Sequence, residues 1–135
     1  MQPEAWITWR PLDDLPVPLS FSALRDDEEG FRILLEPPAG HPRSDELLRV
    51  RFAKVMAYRN IDEGYRLRES QTSGEPSPLW RVEHSEFLAW FHHSSRDIYR
   101  DWKIVHYAIA TDDDIIDVLS PSEPIVEWFE SYSSA

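Results

Sequence analysis

The sequence of 135 residues contains no cysteine and no run of 18 apolar residues. Without thiols there is neither a disulfide scaffold nor a Cys-based zinc or redox site, which fits a reducing compartment. The start, MQPEAWITWRPL, has no basic region and no apolar stretch of signal-peptide length. We therefore expect an unexported cytoplasmic protein that does not span a membrane.

Motifs for catalysis are also missing. The chain has only four glycines, no GxSxG nucleophile elbow and no glycine-rich phosphate loop. Carboxylate pairs are expected by chance among 25 acidic residues, so they do not by themselves indicate acid–base chemistry. The sequence predicts a protein that is not an enzyme, with no catalytic residue and no cofactor.

Acidic charge is the most distinctive property of the composition. The 25 acidic residues outnumber 14 basic ones, giving a net charge of −11, and the excess is concentrated after Asp97. Such a chain repels the phosphate backbone at long range, so direct nucleic-acid binding is not expected. Two interpretations of this charge remain open: it only keeps the protein soluble, or it forms an acidic surface that binds a basic partner.

Length and hydrophobic content predict one globular domain over residues 1–135. Hydrophobic residues make up 41% of the chain and aromatic residues 13%, enough for a buried core. Four prolines fall within residues 1–20, which predicts an extended strap that wraps the domain or lies on a sheet edge.

Alternating apolar residues and turn signals predict an α+β fold with a mainly antiparallel β-sheet and one helix packed on it. The helix is expected over Ser85–Ser95, with Ser85 as N-cap and Phe87, Leu88 and Phe91 facing the core. Strands are expected in GFRILLEP, ELLRVRF, LWRVE, KIVHYAIAT, IIDVLS and PIVEWFE, and less clearly on both sides of an Asp62-Glu63-Gly64 turn.

Three consecutive aspartates, Asp112, Asp113 and Asp114, separate two predicted strands and are expected to form a hairpin tip. A calcium loop is disfavoured, because counting from Asp112 places Ile116 and Asp117 where an aspartate and a glycine are needed. A turn requires only one or two such residues. We therefore interpret these aspartates, with Asp117, as a partner-facing acidic surface, against the alternative of a solvated turn.

Histidines give no convincing metal site. His92 and His93 are adjacent and point about 100° apart on a helix, so they cannot bind one ion as an i, i+4 pair would. A zinc site would need one of them to meet His106 and a carboxylate in space. We predict no metal, and keep an enzyme or metal site using His92, His93 or His106 as the least favoured alternative.

Aromatic residues divide into two groups. Trp80, Trp90 and Tyr107 lie within predicted elements and are expected in the core. A second group lies among the C-terminal acids, where aromatic side chains suit a protein interface or edge packing. We assign this group to partner binding: Trp102, Trp128 and Tyr132.

The segments AYRNIDEGYRLR, SEFLAWFHHSS and HYAIATDDDIIDVLSPSEPIVEW resemble those of small acidic bacterial immunity proteins from polymorphic toxin–immunity systems. The resemblance covers roughly Phe52 to Trp128. It implies a cytosolic inhibitor that plugs the active site of a toxin from neighbouring cells, often a basic nuclease. Such proteins share no catalytic motif, so the resemblance assigns no role to any single residue.

The favoured hypothesis is therefore a non-enzymatic protein-binding inhibitor that docks an acidic face on a basic toxin domain. The alternative is a small regulatory or interaction module that binds another cytosolic protein, or a second copy of itself through an edge strand.

Overall fold

The computed structural model describes residues 2–62 and 76–130. Within these residues the chain forms nine strands and one helix. In chain order the elements are β1 (Ala5–Thr8), β2 (Ser20–Asp27), β3 (Gly30–Glu36), β4 (Glu46–Phe52), β5 (Ala57–Asp62), β6 (Leu79–Glu83), α1 (Glu86–Ser94), β7 (Val105–Ala110), β8 (Asp114–Ser120) and β9 (Ile125–Glu130).

The strands form two antiparallel sheets. The five-stranded sheet has the order β1-β6-β7-β8-β5, and the four-stranded sheet has the order β2-β3-β4-β9. Together with the single short helix of the described residues, they confirm the predicted α+β class. The strands are divided between two sheets, which the sequence pattern does not reveal because alternation marks faces and not partners.

The main core lies between the two sheets. Ile33 and Val50 of the four-stranded sheet and Ile109 and Val118 of the five-stranded sheet are fully buried in the same cluster. Side chains alternate along each strand, so His106 and Ala108 of β7 face away from this core, on the side where α1 packs. The five-stranded sheet is thus covered on both faces.

Strand patterns explain which strands the sequence predicts. β4 has Leu48, Val50 and Phe52 buried, as its clean alternation indicates. β2 was not predicted, because its apolar residues do not alternate. Its pairing with β3 changes register between Phe21 and Ala23, and a bulge of this kind disrupts the two-residue period.

Helix α1 begins where the sequence predicts. Ser85 adopts an extended backbone and its Oγ accepts a hydrogen bond from the backbone N–H of Leu88, as an N-cap does. Phe87 is buried and Leu88 and Phe91 are partly buried on the sheet. The prediction that Trp90 belongs to the core is wrong: it is 55% exposed and stacks on Phe87 from outside.

Within the predicted N-terminal strap, β1 pairs with β6 at the border of the five-stranded sheet. β9 likewise forms an edge of the four-stranded sheet, as its proline start suggests. The predicted Asp62-Glu63-Gly64 turn falls at the limit of the described residues and its second and third residues lie outside them.

Candidate functional site

The hairpin between β7 and β8 carries the three aspartates at its tip. Thr111 organises this turn, since its Oγ1 accepts hydrogen bonds from the backbone N–H groups of Asp113 (3.3 Å) and Asp114 (2.8 Å). The Thr111 N–H also donates to the Asp114 carbonyl at 2.8 Å. The predicted hairpin is confirmed, and a threonine, not an aspartate, holds its tip together.

One of the three aspartates anchors the tip to the start of β2. The backbone N–H of Asp112 donates to the Leu19 carbonyl, and the Ser20 hydroxyl donates to the Asp112 carboxylate, each at 2.9 Å. Asp113 is exposed and Asp114 is half-buried. The tip is therefore fixed against the four-stranded sheet while its charge remains open to solvent.

A fourth carboxylate, which sequence reasoning missed, joins this tip. β5 pairs with β8 so that Asp62 lies opposite Asp114. Partial desolvation, then the negative charges of Asp62, Asp113 and Asp112, raise the pKa of the Asp114 carboxyl above its usual value. No sequence signal could have found Asp62, because β5 and β8 are far apart in the chain.

Asp117 does not belong to this surface, so its assignment to partner binding is wrong. Its side chain is completely buried on the helix side of the five-stranded sheet. The residue lies three positions beyond Asp114, where β8 has entered the sheet and runs beneath α1. The four aspartates are close in sequence, but the sheet places Asp117 in the interior and leaves the other three at the tip.

Asp117 instead ends a buried chain of polar side chains. Its Oδ1 lies 2.6 Å from Nε2 of His106, and its Oδ2 accepts a hydrogen bond from Arg59 at 2.8 Å. Nδ1 of His106 lies 2.6 Å from Oγ of Ser85. A neutral histidine with its proton on Nε2 satisfies every contact: it donates to Asp117 and accepts from the Ser85 hydroxyl.

The aromatic ring of Phe87 covers this chain. It meets His106 edge-on at 5.7 Å between ring centres, and the Arg59 guanidinium lies 4.4 Å above it. Ser85, His106 and Asp117 come from the helix cap and two strands, and all three are buried. Hydrogen bonds therefore link the serine, the histidine and the aspartate in that order. Because the three residues are separated along the chain, no contiguous sequence motif indicates this arrangement.

The predicted aromatic residues do not gather at the tip. Trp102 is 42% exposed beneath the Lys54 ammonium, and the length of β7, roughly 20 Å, separates it from the aspartates. Trp128 lies on β9, half-buried between His41 and Arg43, at the far edge of the other sheet from β2. Tyr132 lies outside the described residues.

The histidines do not converge on a metal-binding arrangement in the part of the chain that the structure describes, where no group of three or more His, Cys, Asp or Glu side chains suits a metal ion. Both ring nitrogens of His106 contact protein partners, namely Ser85 and Asp117. A metal could bind His106 only by displacing one of them.

No family model, curated protein or solved structure matches this chain. Among residues 2–62 and 76–130, no helix is both long and apolar enough to cross a membrane. The acidic hairpin tip and the buried polar chain are the two features of the described residues that bear on function.

Proposed function

We propose that this protein inhibits its partner by binding alone, without catalysis: it is an immunity protein that neutralises a cognate bacterial toxin in the cytoplasm by docking its acidic hairpin tip on a basic cleft. A nuclease is the class of toxin that fits best, because a cleft that binds nucleic acid carries positive charge. The resemblance to immunity proteins and the net charge of −11 support the same proposal.

The observation that carries the proposal is the concentration of Asp62, Asp112, Asp113 and Asp114 at one tip. Partial desolvation, and after it repulsion by Asp62, Asp113 and Asp112, raises the pKa of the Asp114 carboxyl, so the fold tolerates an electrostatic penalty there. Among the described residues, no cation forms a salt bridge with Asp112, Asp113 or Asp114. A basic partner would remove the penalty and would be attracted at long range.

The first step of the test is to identify what binds the tagged protein in its native cell and to purify that partner. Replacing Asp112, Asp113 and Asp114 by asparagine should then slow association by about tenfold or more at low salt, since steering depends on local charge. Added salt should slow the wild type toward the rate of the variant. Stopped-flow mixing at two ionic strengths measures both effects.

A matched control removes three exposed carboxylates elsewhere: Asp26→Asn, Glu28→Gln and Asp45→Asn. Both triple variants lose three of the eleven net negative charges. Asp26 lies six residues along β2 from Ser20, roughly 20 Å from the tip. Equal association rates for the two variants would show that only overall charge matters and would reject the tip as the docking site.

The alternative function is a regulatory module that binds another cytosolic protein. The same capture experiment separates the two functions, because an immunity protein must abolish the toxic activity of its partner in a direct assay. A partner without toxic activity would contradict the inhibitor proposal.

A further inference from the structure

Ser85 lies in the tight turn that joins β6 to α1. His84 between them has a positive φ of 54°, a conformation uncommon for a residue other than glycine. Ser85 follows as the N-cap of α1, so its hydroxyl lies at the positive end of the helix dipole. A nucleophilic serine on a strained strand-to-helix turn is the arrangement used for acyl transfer.

A base and a group that orients this base are in place. Ser85 Oγ lies 2.6 Å from Nδ1 of His106, and Nε2 of His106 lies 2.6 Å from Asp117. Arg59 holds the second oxygen of Asp117. Helix capping needs only the contact from Ser85 to the Leu88 N–H. Well-packed apolar residues often replace buried polar or charged pairs without loss of stability, so the fold alone does not require His106 and Asp117 beside Ser85.

A donor for an oxyanion lies beside the serine. The backbone N–H of Glu86, the residue after Ser85, donates to a carboxylate oxygen of Glu4 at 2.7 Å. In serine hydrolases the N–H of the residue after the nucleophile binds the oxyanion of the tetrahedral intermediate. The contact with Glu4 shows that this N–H binds a negatively charged oxygen in the present structure.

A groove of about 480 Å³ adjoins this arrangement. Ser85 and His106 are among its lining residues, and its apolar wall is formed by Ile7, Leu88 and Ile104. Arg81, Glu83 and His84 also line the groove, and its size is enough for a short acyl group against the apolar wall.

From these contacts we propose a second function, independent of the acidic tip: Ser85 is a nucleophile for small carboxylic esters, with His106 as base, Asp117 as its positioning residue and Glu4 as a displaceable plug on the oxyanion donor. The proposal stands against the sequence-based expectation that the protein has no catalytic residue, and the labelling test decides between them. The ring nitrogens exchange their usual places, since Nδ1 faces the serine and Nε2 the carboxylate.

The chemistry balances with water as the only co-reactant. Ser85 Oγ attacks the carbonyl carbon while its proton moves to Nδ1 of His106, and the carbonyl oxygen takes the place of the Glu4 carboxylate on the Glu86 N–H. The carbon–oxygen bond to the alcohol then breaks, and the alcohol leaves with the proton from His106. Water attacks the resulting Ser85 ester, its proton passes through His106 to Oγ, and the acid is released.

The test is labelling with diisopropyl fluorophosphate, with each adduct located by mass spectrometry. Adduct formation at Ser85 should exceed that at the exposed Ser94 in the same digest, because only Ser85 contacts His106. Glu4→Ala should speed labelling of Ser85 by about tenfold or more, since it vacates the oxyanion donor. His106→Gln should slow it by about 100-fold or more.

Ser85→Gly serves as a control, because glycine is a tolerated N-cap but has no hydroxyl. The rate of p-nitrophenyl acetate hydrolysis that remains after subtracting the rate of Ser85→Gly should be higher for Glu4→Ala than for wild type. If His106→Gln does not fold, Glu4→Ala and wild type decide the question. If Ser85 is labelled no faster than Ser94 in both wild type and Glu4→Ala, the proposal is overturned, and the buried polar side chains serve only to anchor the helix. An unchanged rate of Ser85 labelling in a folded His106→Gln variant would overturn it as well.

Discussion

The tip and the middle of the hairpin formed by β7 and β8 use the same residue type in opposite ways. At the tip, Asp113 is exposed and lies beside other carboxylates. Along β8, Asp117 has no exposed surface and contacts both His106 and Arg59. The charge at the tip therefore remains accessible to another molecule, while the Asp117 carboxylate is paired with other side chains inside the fold.

This contrast shows that the position of a carboxylate relative to the sheet decides its role. Asp112 and Asp113 extend past the strand pairing, where water compensates their charge at little cost. Asp117 lies in a paired strand beneath α1, where a charge without a partner would be strongly destabilising. Three substitutions, described from the largest expected effect to the smallest, test this difference between the hairpin tip and the buried polar chain.

Phe87→Ala should lower the free energy of unfolding by about 3–5 kcal/mol, because it removes a buried ring and uncovers His106 and Arg59. Phe91→Ala is the matched variant and should lose less, since Phe91 is only partly buried. Urea denaturation of both proteins measures the difference. A greater loss for Phe91 would mean that the helix packs with another face.

Asp117→Asn should lower the free energy of unfolding by about 2–3 kcal/mol, because the amide keeps only one accepting oxygen and cannot accept from both Arg59 and His106. The loss stays moderate since Arg59 is one-third exposed and can reach water. Asp113→Asn, at the tip, should change stability by less than about 0.5 kcal/mol. Equal effects in denaturation curves would remove the distinction between the tip and the buried carboxylate.

Asp114→Asn should stabilise the protein slightly near neutral pH, by up to about 0.5 kcal/mol. The folded-state pKa of Asp114 is raised, so the folded protein binds its proton more tightly than the unfolded chain does. The ionised carboxylate thus destabilises the fold at neutral pH, and this effect disappears as pH falls through the folded pKa to the ordinary value of 3.8.

Denaturation midpoints for wild type and Asp114→Asn, measured from about pH 7 down to about pH 3.5, should therefore converge as the solution becomes more acidic. Divergence toward low pH would have the wrong sign for a carboxyl whose pKa is raised. It would indicate that the tip aspartates stabilise the fold instead of straining it.

Local sequence patterns predict many of the secondary-structure elements of this protein. Ser85 followed by Glu86 and spaced aromatic residues predicts where α1 begins, because capping and amphipathicity are properties of consecutive residues. The alternation in β4 and the run of aspartates between two apolar segments predict a strand and a hairpin for the same reason. Trp90 shows the limit of such reasoning: it lies in the predicted helix, yet it stacks on Phe87 and is 55% exposed, because packing against distant strands decides which helix residues are covered.

The sequence by itself determined the class of the fold, the helix, most strands and the acidic hairpin, since each depends on contacts between near neighbours in the chain. Only the tertiary structure decided which carboxylates share a site. Strand order brings Asp62 beside Asp114, and alternation about β8 turns Asp117 inward to meet His106 and, from the helix cap, Ser85. Pairing between distant strands depends on the packing of the whole core, and no short stretch of sequence encodes it.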